Sequence, residues 1–313
     1  MRKKKKYMIF ILSILLGVGF TAYFFLNPTQ GTKPVSVTES SETKMGDTQN
    51  PDSQAKAEPD QPGQKEEDDA NKLKETISKV EKAAQSLFGP KLTVTAVGDS
   101  LTEGVGDETE SGGYVGILEE QLSDVEGIRS VKINNLGKKG NRTDQLLERL
   151  QTKKVSSAIK DADIILITIG ANDVMKVVQN HFLELEMEPF RKEQLAYEKR
   201  LEEIFETIRR DNPDAPIYLI GLFNPFFQWF SNIEELDQII QSWNFSSQII
   251  ASHHDNIYYV PIDDIFRDTD VNLLYDDHFH PNEEGYGLIA DRVLERMTPT
   301  VEAFVESDGK EKH

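Results

Sequence analysis

A serine, an aspartate and a histidine with the chemistry of acyl transfer lie at two places in this sequence. Ser100 follows Gly98 and Asp99 at the carboxyl end of an apolar, β-branched run, where a side chain of an open α/β sheet faces the crevice above the sheet. Asp277 and His280 are three residues apart near the C-terminus. A neutral imidazole that a carboxylate orients can accept the proton of a serine hydroxyl. Ser100 is therefore a candidate nucleophile.

Each of the two segments also has a simpler interpretation. The first is equally typical of a turn that caps a helix. The second contains Asp276, Asp277, His278 and His280, whose carboxylates and imidazoles would also suit a loose metal site. The order of further motifs along the chain decides between these interpretations.

Four motifs resemble those of the GDSL acylhydrolases, also called SGNH hydrolases, and they occur in the order of that family. The first three are GDSLTEGVG at 98–106, NLGKKGNRT at 135–143 and GAND at 170–173, and each begins at or near the end of a predicted strand. The fourth is DDHFHPNEEGY at 276–286, which has the pattern D-x-x-H-P and enters the last predicted helix. The resemblance extends from residue 92 to about 298.

The resemblance implies a serine esterase that forms an acyl-enzyme. Ser100 would be the nucleophile, His280 its base and Asp277 the carboxylate that orients the base. The N–H groups of Ser100 and Gly137 and the amide of Asn172 would stabilise the oxyanion. We expect an ester substrate and neither a metal nor an organic cofactor. Lysophospholipids, fatty thioesters, simple esters and acetylated polysaccharides are all substrates within the family, and the sequence does not select among them.

Two other functions stay open at this point. The domain could be a cell-envelope binding module with a residual hydrolase site, or a metal-dependent hydrolase built on the Asp/His cluster at 276–280. Labelling by a fluorophosphonate, combined with a chelator, distinguishes these functions from a serine esterase.

Alternating strand and helix patterns predict an α/β fold, namely a flavodoxin-like, three-layer α/β/α sandwich around a five-stranded, mainly parallel sheet. The strands are predicted at 92–97, 131–136, 164–169, 217–222 and 257–260. The helices are predicted at 114–122, 143–150, 191–210, 233–252 and 283–297. The segment 174–211 is long, and we expect part of it to form a cap beside the site.

Five aromatic residues follow the fourth predicted strand. They are Phe223, Phe226, Phe227, Trp229 and Phe230. Aromatic side chains at a strand end would suit an apolar wall for an acyl chain, and they would equally suit packing in the core.

The N-terminal third of the chain lacks the alternating pattern. Residues 1–6 are basic and residues 7–26 are apolar and uncharged, which predicts an uncleaved membrane anchor with the catalytic domain outside the cell; a cleaved signal peptide is the alternative. The remaining divisions are a disordered tether at 27–69, an amphipathic helix at 70–90, the hydrolase domain at 91–299 and a polar tail at 300–313.

Composition excludes several classes of site. The chain has no cysteine, which excludes a thiol nucleophile, thiolate metal ligands, disulfides and a lipidated cysteine. Its net charge of −19 argues against non-specific binding to nucleic acid and against docking on an anionic membrane through a basic patch. The oligomeric state is left open.

Overall fold

The computed structural model describes residues 89–311, except 182–185, 228–233 and 268, together with residues 74, 76 and 77. The predicted anchor and tether lie outside the described residues, as does most of the predicted helix at 70–90, so all three stay predictions. Among the described helices, none combines the length and the apolar character that crossing a membrane requires.

Five parallel strands form one sheet in the order β2-β1-β3-β4-β5. The strands are β1 (Lys91–Gly98), β2 (Ser130–Gly137), β3 (Ile164–Thr168), β4 (Ile217–Ile220) and β5 (Ile257–Val260). All residues of β3 and β4 are buried, as expected for central strands that helices cover on both faces. The predicted fold class is confirmed.

Nine helices are present in the described part of the chain. They are α1 (Ser100–Glu103), α2 (Gly113–Ser123), α3 (Thr143–Leu150), α4 (Lys153–Lys160), α5 (Ala171–Asn180), α6 (Met187–Asp211), α7 (Glu234–Ser252), α8 (Asp263–Arg267) and α9 (Glu283–Glu311). The short α1 and α8, together with α4 and α5, were not among the predicted helices.

The two faces of the sheet have separate apolar cores. Ile165 and Ile167 of β3 pack in one core with Leu201 of α6, whereas Ile164 and Leu166 pack in the other with residues of α2 and α9. This division follows from the strand geometry, which points successive side chains to opposite faces. The structure is therefore the predicted three-layer arrangement.

The C-terminal helix is longer than its sequence pattern predicts. We predicted that it ends at 297, ahead of Pro299, followed by a polar tail from residue 300. Instead α9 continues through Pro299 to Glu311, and Val301 is buried in the core. Proline usually ends a helix because it lacks the N–H and crowds the preceding turn, so the predicted end was wrong where tertiary packing overrides that preference.

Candidate active site

Ser100 is held in a tight connection between β1 and α1. It is the first residue of α1, and the Asp99 side chain caps that helix by accepting from the Leu101 N–H at 3.1 Å. A Cβ atom at Gly98 would collide with the Thr168 carbonyl of the neighbouring strand, so glycine is required there. Ser100 is 7% exposed and lines a pocket at the carboxyl edge of the sheet.

The Asp99 side chain stabilises the connection between β1 and α1. Its carboxylate accepts from the Thr168 hydroxyl at 2.9 Å, and Thr168 in turn shares a 2.7 Å hydrogen bond with Thr102 of α1. Burial raises the pKa of Asp99 to about 7, although the hydrogen bonds from Thr168 and Leu101 oppose this shift. These two hydrogen bonds hold the Asp99 side chain in the connection between β1 and α1.

Asp277 and His280 are in direct contact. The imidazole Nδ1 lies 2.6 Å from Asp277 Oδ2, and the other carboxylate oxygen accepts from the N–H groups of Phe279 at 3.0 Å and of His280 at 2.9 Å. Burial opposes the charge of Asp277, but the hydrogen bonds from His280 and the two N–H groups outweigh it and hold the pKa of Asp277 below its ordinary value. An ionised carboxylate thus orients a buried imidazole.

Ser100 and His280 line the same pocket. In the part of the chain that the structure describes, the Ser100 hydroxyl makes no hydrogen bond to the His280 ring. Such bonds are often long in free enzymes and tighten when substrate binds. The pocket therefore brings Ser100 and His280 together, and Asp277 contacts His280 without lining the pocket itself.

The neighbouring Asp276 and His278 do not complete a metal site. Asp276 is exposed, and His278 is held in a left-handed backbone conformation by the turn that its N–H makes with the Tyr275 carbonyl. No group of three or more histidine or acidic side chains converges on a possible ion position among the described residues. The metal-site interpretation of the 276–280 cluster gains no support.

Gly137 lies at the end of β2, as predicted, but its N–H is bonded to a side chain of the same strand. It is the last residue of β2 and pairs with Gly98 in the ladder, and its N–H donates to Asn135 Oδ1 at 3.0 Å. A Cβ at Gly137 would collide with the backbone of Glu103 in α1. In this structure Gly137 permits a close approach of β2 and α1, and it does not offer a hydrogen-bond donor to the pocket.

The next glycine, Gly140, has the properties that were predicted for Gly137. Around it, Lys138 donates its N–H to the end of β1, Lys139 donates to the Glu103 carboxylate, and Asn141 donates back to the Lys138 carbonyl. Gly140 is exposed, has a φ of 78°, and its N–H has no partner among the described residues. Among the backbone N–H groups of these four loop residues, only that of Gly140 has no acceptor in the described part of the chain.

Asn172 lies beside this loop, at the start of α5. Its Nδ2 donates to the Asn141 carbonyl at 3.0 Å, which leaves the second amide hydrogen for a ligand. The next residue, Asp173, is fully buried and accepts from the Thr143 hydroxyl at 2.6 Å and from Arg200 at 3.1 Å. These bonds fix the first turn of α5 against α3 and α6.

The walls of the pocket are mainly apolar. The pocket contains about 730 Å³ of space, open solvent included. Helix α5 contributes Val174, Met175 and Val178, and helix α7 contributes Leu236 and Ile240. None of these five wall residues was predicted from the sequence. Part of the long 174–211 segment thus lies beside the site, whereas α6 covers the sheet.

The five aromatic residues separate into different environments. Phe223 and Phe226 line the pocket, whereas the ring of Phe227 lies under the Arg267 guanidinium, 4.5 Å from its carbon. Trp229 and Phe230 lie outside the described residues. Of the five predicted wall residues, two therefore lie where the prediction placed them.

The chain matches one protein-family model and is similar to several known proteins. The model of the GDSL-like Lipase/Acylhydrolase family matches residues 96–288. The uncharacterized protein YpmR of Bacillus subtilis is 38% identical over 219 residues, which cover 69% of this chain and 86% of YpmR. The spore germination lipase LipC of Bacillus licheniformis is 26% identical over 210 residues, which cover 64% of this chain and 94% of LipC. The crystal structure of a lipase from a goat rumen metagenome matches with a TM-score of 0.57 and 26% identity, covering 64% of this chain and 95% of that lipase.

Proposed function

We propose, since the chain belongs to the GDSL-like lipase/acylhydrolase family, that it hydrolyses carboxylic esters with Ser100 as nucleophile, His280 as base and Asp277 as the orienting carboxylate. The observation that carries this proposal is the 2.6 Å contact between Asp277 and His280 in the loop that borders the pocket of Ser100. A buried imidazole with one nitrogen held by a carboxylate has its other nitrogen available for a serine proton.

The reaction follows from these groups. Ser100 Oγ attacks the ester carbonyl carbon while its proton passes to Nε2 of His280. The alcohol leaves with that proton, and an acyl group stays on the serine. Water then gives a proton to His280 and attacks the acyl-enzyme, after which the acid departs and Ser100 regains its proton.

The negative oxygen formed in each attack needs donors that are already in position. We assign this role to the N–H groups of Ser100 and Gly140 and to the free amide hydrogen of Asn172. Gly140 replaces the predicted Gly137 because the Gly137 N–H is already donated to Asn135. Removing one such donor costs about 3 kcal/mol of transition-state stabilisation in other acyl-transfer enzymes.

The pocket favours an apolar acyl chain over an acetyl group. The described wall is mainly apolar, and each methylene of a longer acyl chain that is buried against it contributes roughly 0.8 kcal/mol. Two similar proteins, LipC and the rumen enzyme, are named as lipases, which agrees with this assignment.

A fluorophosphonate probe combined with a chelator tests the reaction class. We expect the probe to modify Ser100 and no serine in the following loop, such as the exposed Ser111, and ester hydrolysis to be insensitive to the chelator. Peptide mapping by mass spectrometry locates the adduct. Absence of both labelling and hydrolysis would favour a binding module, and chelator-sensitive hydrolysis without labelling would favour a metal-dependent hydrolase.

The adjacent residues Phe226 and Phe227 test the acyl pocket. Phe226→Leu should change the ratio of kcat/KM between long and short p-nitrophenyl esters by about fivefold, because a partly removed wall alters one to two methylene contacts. Phe227→Leu should leave the ratio unchanged, since its ring packs under Arg267. The melting temperature of each variant serves as the control. Equal effects of the two variants on the ratio would contradict the pocket assignment.

A further inference from the structure

Arg149, in the last turn of α3, binds three uncharged acceptors at the carboxyl edge of the sheet. Its Nη1 donates to Asn141 Oδ1 at 2.6 Å and to the Gly98 carbonyl at 3.3 Å. Its Nη2 donates to the Leu136 carbonyl at 2.5 Å. One guanidinium therefore joins the last turn of α3 to the ends of β1 and β2 and to the loop that contains Gly140.

This arginine has no ion pair among the described residues, although it is half-buried. Burial lowers the pKa of Arg149, and the Glu103 carboxylate opposes that shift from a distance. An arginine stays protonated under these conditions. The charge of Arg149 is thus held by three uncharged oxygen acceptors, and one of them, Asn141 Oδ1, belongs to the loop that contains Gly140.

Asn141 connects Arg149 with the proposed oxyanion donors. Its side chain accepts from Arg149, and its backbone carbonyl accepts from Asn172 Nδ2. Gly140, which offers its N–H, is the residue directly before Asn141. A displacement of Asn141 would therefore move both the Gly140 N–H and the Asn172 amide.

We infer that Arg149 is a positioning residue that holds the Gly140 N–H and the Asn172 amide in the geometry that stabilises the oxyanion. The inference rests on the proposed serine esterase reaction. Arg149 does not touch the substrate in this assignment, because it acts through Asn141 and the ends of β1 and β2. Its loss should therefore lower the rate of the chemical step more than the binding of the substrate.

Arg209 provides a matched control at the opposite edge of the sheet. It is also half-buried, and it also donates to backbone carbonyls, namely those of Ala215 at 2.6 Å, Asn256 at 3.0 Å and Asp255 at 3.2 Å. These carbonyls precede β4 and β5, far along the strands from the ends that carry the site. Arg209 therefore has a similar structural function without access to the oxyanion loop.

The test compares Arg149→Met with Arg209→Met in the full-length protein. Arg149→Met should lower kcat on a p-nitrophenyl ester by about 10- to 100-fold with little change in KM, because small misplacements of catalytic groups have effects of this size. Arg209→Met should lower the melting temperature with little change in kcat. Unchanged kcat in Arg149→Met would overturn the inference, as would a loss of kcat in both variants that parallels their loss of melting temperature.

Two further variants keep the test decisive if Arg149→Met does not fold. Arg149→Lys keeps the charge but cannot reach three acceptors with one nitrogen, so its kcat should also fall. Asn141→Ala removes the acceptor of Arg149 but keeps the Asn141 carbonyl, and it should lower kcat without additivity when it is combined with Arg149→Lys. Independent, multiplying effects would contradict the inference. Labelling of Ser100 in the unmodified protein reports separately on the proposed reaction, so a failure of one is distinguishable from a failure of the other.

Discussion

Alanine in place of His280 should lower kcat by on the order of 10³ to 10⁶, as the loss of a triad base does in other serine hydrolases. Among the described residues that line the pocket, Asp99 is the other titratable group besides His280, and its side chain already caps α1, so no described group replaces the imidazole as acceptor of the Ser100 proton. Steady-state hydrolysis of a p-nitrophenyl ester measures the effect, and circular dichroism checks the fold.

His278 is the matched control for this prediction, because it lies in the same loop and has the same side chain. His278 adopts a left-handed backbone conformation, and the Asp277 carboxylate binds the imidazole of His280. His278→Ala should therefore retain most of the activity. An inactive His278→Ala together with an active His280→Ala would show that the base, and with it the assignment of the last motif, is wrong.

Substitutions of the two carboxylates in this loop should also differ in how much activity they remove. Asp277→Asn should lose less activity than His280→Ala, since a neutral amide still occupies the position beside the ring. It should lose more than Asp276→Asn, because Asp276 is exposed and binds neither His280 nor its backbone.

Alanine in place of Asn172 should lower kcat by on the order of 10² to 10³ with little change in KM, because the amide contributes only when the oxyanion forms. The substitution also removes the bond to the Asn141 carbonyl and so loosens the Gly140 loop. Burst kinetics and steady-state hydrolysis measure the acylation step and the overall rate.

Asn180 is a suitable control for Asn172, because it is an exposed asparagine at the other end of α5. Asn180→Ala should be as active as the unmodified protein. If Asn172→Ala kept its kcat while binding the substrate more weakly, Asn172 would be a binding residue and would not stabilise the oxyanion.

The sequence predicted the sheet well because its strands are short, buried and β-branched. Runs such as Ile164–Thr168 have few other stable environments than the centre of a parallel sheet. The position of Ser100 followed from the same reasoning, since a chain leaving such a strand must turn at Gly98. The pairing of Asp277 with His280 came from the family pattern, and the structure places the two side chains in contact.

Two features of the site could not be predicted from the sequence. They depend on where β2 ends and on how the helices are oriented toward the pocket. Gly137 and Gly140 differ because β2 ends at Gly137, and its N–H belongs to the strand end while that of Gly140 belongs to the loop. The α5 side of the pocket wall was missed because α5 itself was not predicted from the sequence. The α7 side was missed because a helical pattern gives the apolar side of a helix but not the part of that side that borders Ser100. The predicted end of the last helix at 297 was wrong for a similar reason, since the packing of Val301 is a tertiary effect.

Helix α5 carries Asn172 in its first turn and Val174, Met175 and Val178 on the side that borders the pocket. A substitution in this helix that resizes the pocket would also shift the Asn172 amide, which we propose as an oxyanion donor, so we expect selectivity and turnover to change together. Leu236 and Ile240 of α7 border the same pocket and carry none of the proposed catalytic groups. Substitutions in α7 can therefore change the preferred acyl-chain length with little effect on the turnover rate. We expect natural or engineered changes in chain-length preference to accumulate in α7 first.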